Sequence, residues 1–176
     1  MKKETTEYLL LLDALRIPDA KFHLEKVNQT WGALYLGTIW QPQIENSPIW
    51  ITVTPGDVIW QRWQTEPIWA SSGIVFEYDN QHSHKDMIAS LQKNITVKSE
   101  DGRLFLLRFY SPSTLSLIVK HGSPGFINGI LGLADKVYPS PIVLPAHRIE
   151  PVYKTAEVSD GSALPFNNEL IKALLS

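Results

Sequence analysis

Short apolar runs and stretches with helical spacing alternate along this chain. Residues 8–12 are continuously apolar, and a short run without alternation predicts a central strand that is covered on both faces. Residues 34–39, 49–53 and 73–78 predict further strands, and the second of these ends at a Thr-Pro-Gly turn. The pattern predicts an α/β fold with a mixed, largely central sheet flanked by helices.

Helical spacing of apolar residues predicts the connecting elements. The clearest is a helix at residues 79–93, in which Ser83 stands three residues before Asp86, as in a capping box. Shorter helices are expected, in chain order, at residues 22–27, 58–63 and 125–134.

Residues 104–115, LFLLRFYSPSTL, are the most informative passage of the chain. Before them, an Asp-Gly pair separates the apolar runs at residues 95–97 and 104–109, which predicts a β-hairpin whose second strand is buried. Ser111 is then expected to cap a helix that begins at Pro112. Gly122 is expected to end that helix in the left-handed conformation.

The C-terminal residues predict a smaller part of the molecule. Proline residues interrupt regular structure around residue 140, so a domain boundary is predicted between an α/β lobe at residues 1–140 and a mainly helical part at residues 141–176. The second part ends in an amphipathic helix. Its apolar face consists of Phe166, Leu170, Ile171 and Leu174. We expect this helix to pack on its own core, with docking of a partner as the alternative.

The RFYSP segment resembles a known family signature. Arg108, Phe109, Tyr110 and Pro112 match the arginine-phenylalanine-tyrosine-aspartate-proline motif of the type VI secretion effector adaptors, also called Tap or TEC chaperones. Ser111 stands where the aspartate usually lies, and both residue types cap helices. The resemblance extends in order over residues 8–134. Its other parts are Asp13-Ala14, Tyr35-Leu36-Gly37 and the segments at 48–53 and 73–93.

The resemblance implies an adaptor. Members of this family bind a toxic effector in the cytoplasm and help load it onto the VgrG spike. The partners implied for this chain are therefore a cognate effector protein and the VgrG spike protein. The family commonly has a longer C-terminal lobe than the residues after 141 provide here.

Composition and charge argue against nucleic acid and membrane partners. The chain has 176 residues, of which 44% are hydrophobic and 19% charged, as in an ordinary globular protein. Its formal net charge is −2, and its basic residues do not cluster, so a nucleic acid partner is not expected. Cysteine is absent, and no apolar run approaches the ~20 residues of a membrane span. A cytoplasmic protein without a membrane partner is expected.

Six Trp residues lie within one third of the chain. Most are expected in the core, while Trp60 and Trp63, three apart on a predicted helix, are expected to form an exposed pair. Such a pair suits a protein groove or, alternatively, a carbohydrate.

No sequence pattern indicates catalysis. The chain contains no nucleophile elbow and no phosphate-binding glycine loop, and the spacing of His82 and His84 is not that of a metal site. Asp13 is expected to cap the turn after the first strand. Arg108 ends an apolar strand, where a guanidinium requires a partner, so a contact with a carboxylate or carbonyl is expected.

The sequence therefore predicts a non-enzymatic adaptor without cofactor or metal. A carbohydrate-binding or sugar-active protein and a toxin-neutralising immunity protein are the alternatives. The candidate partner-binding residues are Trp60, Trp63, Arg108, Tyr110, Phe166, Leu170 and Leu174.

Overall fold

An antiparallel sheet of six strands forms the centre of the computed structural model, which describes residues 5–155 and 168–175. The strands in chain order are β1 (Thr6–Leu12), β2 (Trp31–Ala33), β3 (Ile49–Val53), β4 (Gly73–Asp79), β5 (Thr96–Lys98), β6 (Leu104–Leu106), β7 (Lys136–Pro139) and β8 (Val152–Tyr153). The sheet order is β2-β3-β1-β4-β7-β8, while β5 and β6 pair only with each other. The predicted fold class is confirmed.

Helices cover both faces of this sheet. They are α1 (Ala20–Leu24), α2 (Val58–Thr65), α3 (Pro67–Ala70), α4 (His84–Gln92), α5 (Pro112–His121), α6 (Pro124–Ile130) and α7 (Asn168–Leu175). The first three pack on one face of the sheet, whereas α4 to α7 and the β5–β6 hairpin pack on the other. Short 3-10 helices lie at Ala14–Arg16, Gln41–Asn46 and Pro145–His147.

The strand β1 is central, as its uninterrupted apolar run predicts. It pairs with β3 on one side and β4 on the other. Leu9 and Leu11 contribute to the core beneath α4 to α7, whereas Leu10 and Leu12 contribute to the core beneath α1 to α3. Since side chains alternate across a strand, a strand between two helical layers must be apolar at every position.

The C-terminal residues join the main sheet and its core. The edge strand β8 pairs with β7, which pairs with β4. Leu170 and Ile171 of α7 are buried in the core beneath α4 to α7, so the predicted packing of this helix is confirmed. The domain boundary at residue 140 stays a prediction.

The prediction of a strand at residues 34–39 is wrong. Its residues form turns, because Gly37 has a φ of 77° and the Thr38 hydroxyl donates to the carbonyl of Tyr35 over 2.7 Å. The side-chain amide of Gln92 donates to the carbonyls of Leu34 and Leu36, each over 2.9 Å. These contacts bind the carbonyl groups that a neighbouring strand would have used.

Three predicted helices have different bounds in the structure. The one expected at residues 125–134 is α6, which ends at Ile130. The helix expected at residues 79–93 begins at His84, because Ser83 accepts a hydrogen bond from the Asp86 amide over 3.1 Å, as the capping box predicts. The helix expected at residues 22–27 is α1, which begins earlier and ends at Leu24. Helix bounds depend on which residue satisfies the first free amides.

The β5–β6 hairpin forms, but its second strand is not buried. Leu104 is 66% exposed and Leu106 is 39% exposed. The hairpin lies outside the main sheet, so only one of its faces contacts the core, through Val97 and Phe105. The alternation is therefore that of a strand covered on one side.

The ends of α5 differ from the expectation in detail. Pro112 begins the helix, but the Ser111 hydroxyl interacts with the hydroxyl of Ser113 and does not cap. Gly122 ends the helix with a φ of −76°, so the expected left-handed conformation is wrong. Glycine is required there for space, since a Cβ would lie 2.5 Å from the carbonyl oxygen of Ile118.

Candidate functional site

Four side chains from three distant segments meet beyond the C-terminal end of β1. Asp13 follows β1, Tyr35 follows β2, and Arg108 and Tyr110 precede α5. Arg108 donates a hydrogen bond to the Asp13 carboxylate, and Tyr110 interacts through its side chain with both Arg108 and Tyr35. We call these four residues the Asp13 cluster.

Local structure holds Asp13 in place. Its amide donates to the carbonyl of Ser72 over 2.7 Å, which extends the pairing of β1 with β4 by one residue. Its carboxylate accepts from the amide of Leu15 over 3.3 Å, so the predicted capping of the next turn is confirmed. The same carboxylate binds Arg108, and the predicted contact of this guanidinium with a carboxylate is also confirmed.

The ion pair is unequal in burial. The side chain of Asp13 is 4% exposed and that of Arg108 is 48% exposed. A buried carboxylate without a partner is costly, whereas a guanidinium with this exposure retains contact with water. The pair therefore fixes the segment before α5 to the end of β1 and leaves part of Arg108 at the surface.

Burial shifts the pKa values of the two phenols in the cluster. It raises the pKa of Tyr110 well above its usual value, although Arg108 opposes the shift, and it also raises the pKa of Tyr35. Burial alone would lower the pKa of Arg108, but the contacts with Tyr110 and Asp13 outweigh it and the pKa is raised. Both phenols therefore stay protonated and Arg108 stays charged at neutral pH.

An open groove adjoins the cluster on the side of Arg108. It has a volume of about 190 Å³ and lies between the hairpin, α5 and α7. We call it the β6 groove. Its lining consists of Phe105, Leu106, Leu107, Arg108, Thr114, Ile171, Leu174 and Leu175. Apart from one guanidinium and one hydroxyl, the side chains of this lining are apolar.

The expectation that Trp60 and Trp63 form an exposed pair is wrong. Both rings are buried, at 8% and 0% exposure, beneath α2 and against the sheet. The indole of Trp63 donates to the carbonyl of Gly73 over 2.9 Å, and the Trp60 ring meets Tyr8 edge to face. Positions 59, 60 and 63 share the inward face of this helix. The polar residues between them suggested an exposed segment in the sequence.

The structure places the other candidate residues differently. Tyr110 and Leu170 are buried, whereas Arg108 and Leu174 line the β6 groove. Phe166 lies outside the described residues. Of the predicted partner-binding residues, Arg108 and Leu174 are thus brought together at one accessible site.

Sequence reasoning missed the exposed apolar residues near this site. Leu104, Leu106 and Leu175 are exposed although each belongs to an apolar run. A turn that presents Leu36 and Ile39 to solvent was also missed. The one available signal was the polar Thr96, which faces Leu106 across the hairpin and indicates a face away from the core.

The described residues form neither a metal-binding cluster nor a membrane-spanning helix. Within residues 5–155 and 168–175, His, Asp and Glu side chains do not gather in groups of three that suit a metal ion. None of the helices in the same part of the chain has both the length and the apolar character needed to cross a bilayer.

One family matches most of the chain. Its description is "Domain of unknown function (DUF4123)", and the match covers residues 8–125. This region contains the whole Asp13 cluster and the hairpin and α5 walls of the β6 groove, while the α7 wall lies beyond it. Comparison with curated proteins and with solved structures gives no match.

Proposed function

The chain belongs to the DUF4123 family, and from this membership and the RFYSP resemblance we propose that it is a non-enzymatic adaptor. It binds a type VI secretion effector in the cytoplasm and helps load it onto the VgrG spike. The family description itself states only a domain of unknown function. The adaptor role follows from the resemblance of residues 108–112, and the geometry around them supports it.

One observation carries the proposal. The segment that resembles the adaptor signature begins at the wall of an accessible apolar groove, since its first residue, Arg108, and the three residues before it line the β6 groove. Single exposed apolar side chains are common on any folded protein, whereas contiguous exposed apolar surface is typical of a docking site. Leu106 and Leu175 provide such surface here.

The Asp13 cluster supports a structural role for the signature. Its phenols remain protonated because burial raises the pKa of Tyr110 and of Tyr35, so they act as hydrogen-bond donors and not as bases at neutral pH. The Asp13 carboxylate accepts hydrogen bonds from Arg108 and from the Leu15 amide. The signature thus anchors the groove wall at Arg108 to the end of β1.

Purification from the native cells tests the proposal. The chain carries a small affinity tag at Met1, is expressed at its own level under secretion-active conditions, and is isolated gently. Mass spectrometry is expected to identify a toxin-like effector encoded with the secretion system, with or without VgrG. A monomer that retains neither protein under these conditions contradicts the adaptor role.

The activity of the bound effector separates an adaptor from an immunity protein. An adaptor leaves the toxin intact for delivery, so deletion of the chain is expected to stop secretion of the effector without harming the producing cell. An immunity protein inhibits the toxin, so the same deletion would poison the cell. A shift of Trp fluorescence on titration with oligosaccharides, without any protein partner, would instead favour the carbohydrate alternative.

A further inference from the structure

The strand β6 has one open edge. The amides of Leu107 and Ser99 donate to the carbonyls of Ile95 and Arg103, so the hydrogen-bonded pairs of the hairpin are 95 with 107 and 99 with 103. In an antiparallel ladder these pairs alternate with pairs whose main-chain groups point outward. Leu104 and Leu106 belong to the outward pairs. Within residues 5–155 and 168–175, no other strand pairs with this edge.

The β6 groove follows this open edge. Four consecutive residues, 105 to 108, line it. Phe105 and Leu106 belong to β6, and since side chains alternate between the two faces of a strand, these neighbours line one groove where it follows the strand edge. The opposite wall is provided by Ile171, Leu174 and Leu175 of α7.

The segment that contains the hairpin and α5 has a positive net charge. Residues 93–121 contain five Lys and Arg residues and two acidic residues, a net charge of +3 in a chain whose net charge is −2. Of the described residues that line the groove, Arg108 is the one that carries a charge. Its guanidinium has five N–H donors, and its side chain is 48% exposed although it binds Asp13 and interacts with Tyr110.

We propose that the β6 groove binds an extended acidic and apolar segment of the effector, which adds to β6 as a third strand. The segment pairs with the outward main-chain groups of Leu104 and Leu106, places apolar side chains against Leu106 and Leu174, and sets a carboxylate against Arg108. Main-chain pairing supplies the affinity of strand addition, and the alternate side chains supply its specificity. This inference rests on the proposed adaptor function and names the part of the partner that is bound.

The size of the site favours a segment over a second copy of the chain. A stable interface between two folded proteins buries roughly 800 Å² on each partner. The open edge here is three residues long and the groove beside it is about 190 Å³. An extended segment suits this site, and a matching cationic patch on a second copy would repel Arg108.

A fluorescein-labelled peptide of sequence LELELE, blocked at its C-terminus, is the probe. It is expected to bind the full-length chain saturably in fluorescence anisotropy. The peptide LKLKLK, which has the same apolar residues and the opposite charge, is expected to bind at least tenfold more weakly. A version of LELELE that is N-methylated at every residue cannot donate main-chain hydrogen bonds and is expected not to bind.

Two variants locate the binding. Leu106→Glu places a negative charge in the groove and is expected to weaken LELELE binding at least tenfold. Val58→Glu introduces the same charged side chain at an exposed aliphatic residue of α2, on the opposite layer, and is expected to change binding less than twofold. In residue-resolved hydrogen exchange, LELELE is expected to slow exchange at the amides of Leu104 and Leu106.

Each contrary result overturns the inference. The inference is wrong if LELELE does not bind saturably or if LKLKLK binds equally well. It is also wrong if both variants lose LELELE binding to the same extent, or if hydrogen exchange at the amides of Leu104 and Leu106 is unchanged. Purification from native cells separates this failure from failure of the adaptor function. If Leu106→Glu retains the effector that the unaltered chain retains, the groove assignment is wrong and the adaptor role stands; if the unaltered chain retains none, the adaptor role is wrong.

Discussion

Arg108 donates a hydrogen bond to the buried carboxylate of Asp13, 95 residues earlier in the chain. The contact joins the end of the central strand to the start of α5 and thereby positions one wall of the β6 groove. Because Asp13 is buried and Arg108 is half exposed, the loss of stability is expected to differ between substitution of Arg108 and substitution of Asp13.

The ion pair predicts unequal effects of two substitutions. Arg108→Met leaves the Asp13 carboxylate buried without its cation and is expected to lower the free energy of unfolding by about 3 kcal/mol. Asp13→Asn leaves a guanidinium that reaches water, and the asparagine keeps an oxygen that accepts from the Leu15 amide. This substitution is therefore expected to lower the free energy of unfolding by only about 1 kcal/mol. Urea unfolding at pH 7 measures both values. Equal losses would contradict the asymmetry.

The buried Trp63 predicts a role in stability. Trp63→Ala removes a fully buried ring and the hydrogen bond to Gly73, so a loss of about 3–5 kcal/mol in the free energy of unfolding is expected. Val58→Ala, at an exposed position of the same helix, is expected to change it by less than about 0.5 kcal/mol. Denaturation followed by far-UV circular dichroism provides the test, and a small effect at Trp63 would place its ring outside the core.

The two faces of α7 predict different responses to truncation of leucine. Leu170 is fully buried, so Leu170→Ala is expected to lower the free energy of unfolding by about 2–4 kcal/mol. Leu175 is 71% exposed, and Leu175→Ala is expected to have little effect on stability. Thermal unfolding of the two variants distinguishes them. Similar melting temperatures would show that α7 does not pack on the core.

Buried phenols predict a loss of stability in alkaline solution. Burial raises the pKa of Tyr35, Tyr78, Tyr110 and Tyr138 above the usual 10.0. The folded state therefore binds more protons than the unfolded state above about pH 10, and its free energy of unfolding falls as the pH rises further. Below about pH 10 this contribution is fully present.

Unfolding in urea between pH 8 and pH 11, with phenolate absorbance at 295 nm, measures this dependence. Tyr110→Phe removes one of the shifted groups, so its alkaline loss of stability is expected to be smaller than that of the unaltered chain. A free energy of unfolding that stays constant up to pH 11 in both proteins would contradict the burial of these hydroxyls.

Features encoded within a few residues were predictable. The unbroken apolar run of β1, the cap of α4 at Ser83 and the start of α5 at Pro112 each depend on neighbours in the sequence, and the structure has all three. The resemblance also placed Asp13, Tyr35 and Arg108 in one ordered set. It did not indicate that these residues touch.

The sequence by itself determined the fold class, the central strand, the hairpin and the start of α5, because periodicity, caps and turn residues act locally. The tertiary structure decided that Asp13 binds Arg108, that Trp60 and Trp63 face inward, and that Leu106 is exposed. Which face of a helix or hairpin is covered depends on contacts between distant segments. Helical layers enclose β1 on both sides, whereas the hairpin lies outside the sheet and keeps one edge open.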